Sequence, residues 1–311
     1  MEVKFEQEMK SNLDCFLDCT TPRLSSQHLP ETTGVWDVDV GFDWRISDEK
    51  KMGKSRCFNL VELWNLYDEW SAYGVGSPIT ISGGKTVVQY YTPYLSAIQI
   101  YTPTRNSSSL RDGELEVKSW SASESMSSGS SSSSEKIWDV EDLGIHVIDH
   151  DHSPERDQSL HVGDLYFQHF EVDGPFGRPP LKDKIDALSV EYPGLKCFNS
   201  NDLSPASWMA IAWYPIYHIP NRRNSKQLYA SFLTYHKLAS PFHQENTVDH
   251  SISIPPFGLA TYRMQSKIWL NPDVEHRNKM YQLMDGADSW LKHLSIQHHD
   301  YNFFISRPMS I

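Results

Sequence analysis

Several clusters in this sequence carry residue types that do chemistry in other proteins. His146, Asp149, His150, Asp151, His152 and His161 are the densest set of metal-ligating side chains. Alternating His and Asp hold zinc or iron when a rigid backbone and outer hydrogen bonds fix them. Here they border a Ser-rich stretch and lack a second cluster at ligand spacing, so they read as a solvated polar loop and no metal is expected. Gly83-Gly84-Lys85-Thr86 has the end of a phosphate-binding loop, but the motif needs a glycine where Ile79 stands. The residues after it, Val87 to Tyr91, are strand formers, whereas a phosphate cradle opens a helix. Cys15 and Cys19 share a face if 13–18 is helical, and two thiols without further ligands suit buried, inert cysteines better than zinc.

His218 and His236 lie in two aromatic-rich segments that read as paired strands, which invites a catalytic dyad. Register argues against it. With the hairpin centred between Arg223 and Asn224, His218 opposes Tyr229 and His236 opposes Ile211, so the imidazoles lie far apart along the ladder. Each is expected to be a hydrogen-bonded histidine of the core or its rim. A second reading makes Tyr214, Tyr217 and Tyr235 the walls of a small-molecule pocket, with His218 or His236 as its polar element. The chain contains no Gly-x-Ser-x-Gly elbow, His-Glu-x-x-His, glycine-rich dinucleotide fingerprint or kinase signature. No cofactor is expected.

The elements that must position these residues follow from periodicity. Asn59 caps a helix running to Tyr73, with Glu62 placed to complete a capping box and Gly74 to stop it. Leu60, Leu63, Trp64, Tyr67 and Trp70 make its apolar face. A hairpin follows, with Gly83-Gly84 as a two-residue turn that pairs Ile81 with Thr86 and Ile79 with Val88. Its second strand continues toward Tyr91, Pro93 marks an edge or bulge, and 95–101 is a further strand. Another strand is expected at 165–172 and a short helix at 181–191. Trp208 to Ile219 is apolar on both faces like a central strand, with 228–238 as its antiparallel partner. A long C-terminal helix starts at Asn271-Pro272 and buries Met280, Leu283, Met284, Ala287, Trp290, Leu291 and Leu294. Residues 301–305 are expected to form a last strand. The balance is α+β, a mostly antiparallel sheet with a few packed helices, in one domain. Residues 106–136 interrupt it as a disordered Ser-rich insertion, in which Ser121 and Ser132 each precede a Glu by three and are candidates for phosphorylation.

Composition narrows the partners. The chain has 311 residues, including ten Trp, 15 Tyr and 13 Phe, enough aromatic area for a sizeable core. Lys plus Arg total 28 against 40 for Asp plus Glu, a net charge of −12, which disfavours nucleic acid because phosphate binding needs basic clusters. No apolar run approaches the ~20 residues of a spanning helix, so no integral membrane segment is expected. The charged start, MEVKFEQEMKSNLD, lacks a signal-peptide core. Four cysteines in so long a chain do not make a disulfide framework. These features place the protein in the cytoplasm or nucleus.

Six blocks in order carry a resemblance: SNLDCFLDCTTP (Ser11–Pro22), NLVELWNLYDEWSAYGVGSP (Asn59–Pro78), VVQYYTPYLSAIQIY (Val87–Tyr101), DLSPASWMAIAWYPIYHIP (Asp202–Pro220), SFLTYHKL (Ser231–Leu238) and SWLKHLSIQHHDYNFF (Ser289–Phe304). Together they resemble the plant domain-of-unknown-function 789 family. The resemblance implies a plant protein with one family-wide domain, and it implies no activity. His218 departs from the pattern, which has Arg there, and Asn221-Arg222-Arg223-Asn224 replaces a shorter turn. The functional expectation is a non-catalytic interaction or regulatory protein with an unidentified protein partner. An enzyme or small-molecule binder with an aromatic pocket is the alternative.

Overall fold

A computed structural model describes residues 10–28, 56–81, 83–103, 163–216, 229–239, 251–270 and 274–306. These all belong to one compact unit, 1–104 with 161–311. The Ser-rich insertion with Ser121 and Ser132, the His/Asp run at 146–161, Tyr217 and His218 lie outside the described residues.

In chain order the elements are α1 (Asn12–Thr20), β1 (Arg23–Ser25), β2 (Gln27–His28), β3 (Arg56–Cys57), α2 (Leu60–Tyr73), β4 (Val75–Thr80), β5 (Thr86–Thr102) and β6 (Asp164–Phe170). Then come α3 (Leu181–Leu188), α4 (Gly194–Cys197), β7 (Trp208–Pro215), β8 (Ser231–Lys237), β9 (Ser251–Ser253), β10 (Gly258–Tyr262), α5 (Ser266–Trp269), α6 (Val274–His293) and α7 (His299–Ile305). The main sheet runs β10-β8-β7-β5-β4, with β6 also on β5, and every pairing in it is antiparallel. The fold is α+β, as the sequence predicts.

Both faces of this sheet are covered. On one face, Phe16 of α1 sits among Tyr91, Trp213, Phe232 and Trp269, with ring centroids 4.2–6.3 Å away. Side chains of α1 and α2 complete this aromatic core. Asn12 fixes α1 there: its side-chain amide donates to Thr80 O and Ile268 O and accepts from Thr80 N. The other face is lined by small residues, Ala97, Ala210, Ala212 and Ala260, which let α6 and α7 approach closely. The contact is tightest where α6 crosses the start of β10. A Cβ on Gly286 would stand 2.4 Å from Phe257 O, and one on Gly258 would stand 2.9 Å from the Ala287 backbone.

Strand β5 organises the sheet. It is one 17-residue strand, where the sequence suggests two. β4 pairs with it up to Tyr91 and β6 from Ala97 onward, while β7 spans the middle on the opposite edge. Pro93 therefore falls where, among the described residues, neither β4 nor β6 needs its missing N–H. Leu95 pairs with Ile211 and Ala97 with Ala210, so Ser96 is an extra residue in a β-bulge.

Some expectations need correction. The hairpin register is Thr80 with Thr86 and Ile79 with Val87, closed by Ile81 N to Lys85 O, so the loop is one residue longer than a Gly-Gly turn. Gly83 and Gly84 both take positive φ, as expected. Asn59 caps α2 by accepting from Val61 N, but the Glu62 carboxylate meets Gln27 and does not close a capping box. His236 opposes Met209, not Ile211, which moves the β7–β8 centre by one residue and preserves the faces. Residues 299–305 form a helix and not a strand. Asp300 and Phe304, one helical turn apart, are its buried positions, and this tertiary anchoring overrides the aromatic strand propensity.

Gly286→Ala tests the close contact between α6 and β10. Alanine is the better helix former by about 1 kcal/mol, yet here its methyl meets a backbone carbonyl. The melting temperature should fall by an amount matching about 1–3 kcal/mol of overpacking. A rise would show that α6 stands off from Phe257.

Candidate functional site

The bulge at Ser96 turns its side chain toward the loop between α6 and α7, where the chain places a group of polar residues under the sheet's alanine face. α6 ends in a left-handed residue, Ser295 (φ 53°), with Ile296 N bonded to Leu291 O and Ser295 N to Lys292 O. This stop delivers His298 as the cap residue of α7 and Asp300 in its first turn. Ser96 Oγ lies 3.0 Å from His298 Nε2 and 2.5 Å from Asp300 Oδ2. Tyr235 Oη is 2.8 Å from His298 Nδ1. Arg178 forks onto Asp300 with two bonds of 2.7 Å and is itself held by Asp173 O.

A Ser, a His and an Asp in contact suggest a nucleophilic triad, but their hydrogens run the wrong way. The carboxylate has no proton to give, so the 2.5 Å contact requires the Ser96 hydroxyl to donate to Asp300. Ser96 then accepts from His298 Nε2–H, and Nδ1 accepts from Tyr235. A triad needs the reverse: an unprotonated imidazole nitrogen facing the serine and the Asp on the other nitrogen. The group is also sealed, with exposures of 0% for Ser96, 1% for His298 and 2% for Asp300. Burial depresses the His298 imidazolium, to a pKa of about 4 despite the Asp300 charge, so the ring is neutral at physiological pH. The arrangement is a structural hydrogen-bonded chain, Tyr235 to His298 to Ser96 to Asp300, closed by Arg178.

Glu171 extends the same clamp. Its backbone N donates to Ser96 O across the bulge. Burial raises its carboxyl pKa, but bonds from Asp173 N, Lys184 and Val172 N outweigh that and hold it at about 2.

The residues singled out in the sequence are not brought together. Tyr235 and His236 are neighbours on β8 and so point to opposite faces. Tyr235 reaches His298, whereas His236 is buried in the aromatic core, with Nδ1 2.9 Å from Ile254 O and Nε2 2.9 Å from Thr234 Oγ1. Burial lowers its pKa to about 4, as suits a neutral structural histidine. Tyr214 is half-buried beside Tyr94 and Phe304. Cys15, Cys19 and Cys57 are free, and burial pushes their thiols upward, away from reactivity. Among the described residues no three His, Cys, Asp or Glu gather as a metal site. None of the described helices is long and apolar enough to cross a membrane.

A groove of about 390 Å³ lies elsewhere, lined by Lys237, Pro256, Phe257, Lys279, Gln282 and Leu283. Lys237 ends β8 on the alanine face. Its Nζ stands 3.0 Å above the centre of the Trp290 ring and 4.9 Å from that of Phe257. Burial pushes its amine down to about 7, while the Trp290 face attracts the ammonium form. The other lysine of the groove, Lys279, is engaged by Asp14 at 2.6 Å. Sequence reading missed Lys237 because a single Lys at the end of a strand resembles an ordinary edge charge. Ser96, Arg178 and the His298-His299-Asp300 run lie in three separate stretches of sequence, and no local pattern joins them.

A double-mutant cycle tests the clamp. Arg178→Leu strands the Asp300 charge and should cost about 3–5 kcal/mol in denaturant unfolding. Adding Asp300→Leu should recover a large part of that loss. Additive losses would show that the two residues do not act as a pair.

The family described as Protein of unknown function (DUF789) matches residues 11–304, nearly the whole chain, and the protein belongs to it. No curated protein and no solved structure matches the chain.

Proposed function

We propose that this DUF789 member is a non-catalytic interaction or regulatory protein that takes a small molecule in the groove beside Lys237. One contrast supports the reading. The side chains with the types of a hydrolytic site are sealed and saturated, whereas Lys237 is half-buried, lines a groove and rests its amine on Trp290. The walls set the ligand chemistry. Pro256, Phe257 and Leu283 suit a compact, mainly apolar body, and Lys237 suits a single polar head.

In this reading the scaffold stays rigid and the ligand adjusts the surface where α6 meets β10. The partner is a protein, in the cytoplasm or nucleus. The Ser-rich segment supplies a modifiable element, with Ser121 and Ser132 as acceptors and about −1.5 to −2 charge added by each phosphate.

Gln282 is exposed on the groove's rim, so Gln282→Trp obstructs the groove without disturbing the core. Ligand-observed NMR with a library of small aromatic and aliphatic fragments should find binders to the wild-type chain. Their binding should weaken at least about tenfold, or about 1.4 kcal/mol, in the variant at unchanged melting temperature. Fragments that ignore the substitution, or a screen without binders, would refute the groove. Turnover of any substrate would refute the non-catalytic reading.

A further inference from the structure

The groove's most distinctive group is the Lys237 amine, and its surroundings select among ligands. Its Nζ stands 3.0 Å above the Trp290 ring, which fixes the nitrogen in place where an exposed lysine would sweep through solvent. Among the described residues no carboxylate pairs with it. Burial brings it to about 7, so a substantial share is uncharged and nucleophilic at neutral pH. An anionic ligand would need Lys237 fully charged and would have to desolvate its own charge against Pro256, Phe257 and Leu283. Lys279 offers little help, because Asp14 already neutralises it. An uncharged electrophile meets neither cost.

We propose that Lys237 captures a small aldehyde or ketone from this groove as an imine. The inference rests on the groove being a ligand site and adds the chemistry that holds the ligand. The neutral Nζ lone pair attacks the carbonyl carbon, and the C=O π pair moves to oxygen. A proton passes from nitrogen to that oxygen, giving a carbinolamine. The hydroxyl then leaves as water with the second amine proton, and the nitrogen lone pair closes the C=N bond. One carbonyl compound and one amine give one imine and one water, with no oxidant or reductant. Gln282, whose amide both donates and accepts, is the groove's uncharged polar group and can hydrogen-bond the carbinolamine hydroxyl. The product places an apolar substituent against Phe257 and Leu283.

Benzaldehyde with sodium cyanoborohydride, applied to the full chain at neutral pH, tests this, because reduction fixes an imine as a benzylamine that peptide mass mapping can locate. Lys237 should be labelled at least about tenfold faster than Lys10 or Lys292, since each pKa unit changes the free-amine share about tenfold. Those two are paired with Asp18 and Asp288, which raises their pKa values. Lys237→Arg keeps a cation on Trp290 and should lose the label at an unchanged melting temperature. Labelling of Lys237 no faster than the two reference lysines would overturn the proposal. Benzyl alcohol, followed by ligand-observed NMR, separates the two failures. If the alcohol binds in a Gln282-dependent way while Lys237 stays unmodified, the imine falls and the groove stands. If neither compound binds, both fall.

Discussion

The ion pair between Arg178 and Asp300 is the constraint on which this architecture turns. It joins the loop before α3 to the first turn of α7, and it does so at side-chain exposures of 2% on both partners. A charge so buried is costly unless it is matched and fully hydrogen-bonded. Here the match is a two-pronged fork, and the remaining carboxylate capacity goes to Ser96. From that point the consequences spread outward. Asp300 orients the Ser96 hydroxyl, Ser96 fixes the His298 tautomer, and His298 Nδ1 accepts a hydrogen bond from the Tyr235 hydroxyl on β8. The C-terminal helix is thereby tied to β5 and β8, in the interior of the sheet.

The bulge makes this possible. A regular β5 would alternate Leu95, Ser96 and Ala97 across the sheet, sending Ala97 into the aromatic core. The extra residue instead keeps Ala97 beside Ala210 on the side that receives α7, with Ser96 turned to the same side. Small residues then admit the helices, and polar ones anchor them. The opposite face uses a different principle: Phe16 packs edge against face with Tyr91 and Trp213, Phe232 does so with Trp269, and Phe16 lies tilted on Phe232, with α1 pinned by the Asn12 amide.

Where local signals were strong, the sequence was a good guide. The Asn59 cap, the apolar stripe of α2, the doubly buried β7 and the stripe of α6 each express one period or one capping rule, and each stands as expected. What escaped was nonlocal. Tyr301-Asn302-Phe303-Phe304-Ile305 reads as strand by propensity, whereas the anchoring of Asp300 by Arg178 and Ser96 favours the helix that forms. Ser96 looks like a lone polar residue in an apolar run until the β7 register reveals a bulge. His218 and His236 belong to one expected hairpin, whereas Tyr235 and His298, 63 positions apart, make the histidine contact that matters. Lys237 was invisible for the same reason, since Trp290 and Phe257 come to it from other elements.

The central claim is that the Ser–His–Asp group is a locked structural chain and not a resting catalyst. Nitrogen-15 NMR of the His298 ring tests it most directly. A locked chain predicts a neutral ring with its proton on Nε2 across neutral pH. The depressed pKa means that protonation begins only as the pH falls toward about 4, well below an ordinary histidine's ~6.5. A proton on Nδ1, or titration near 6.5 with rapid solvent exchange, would leave Nε2 free to activate Ser96 and would contradict the account.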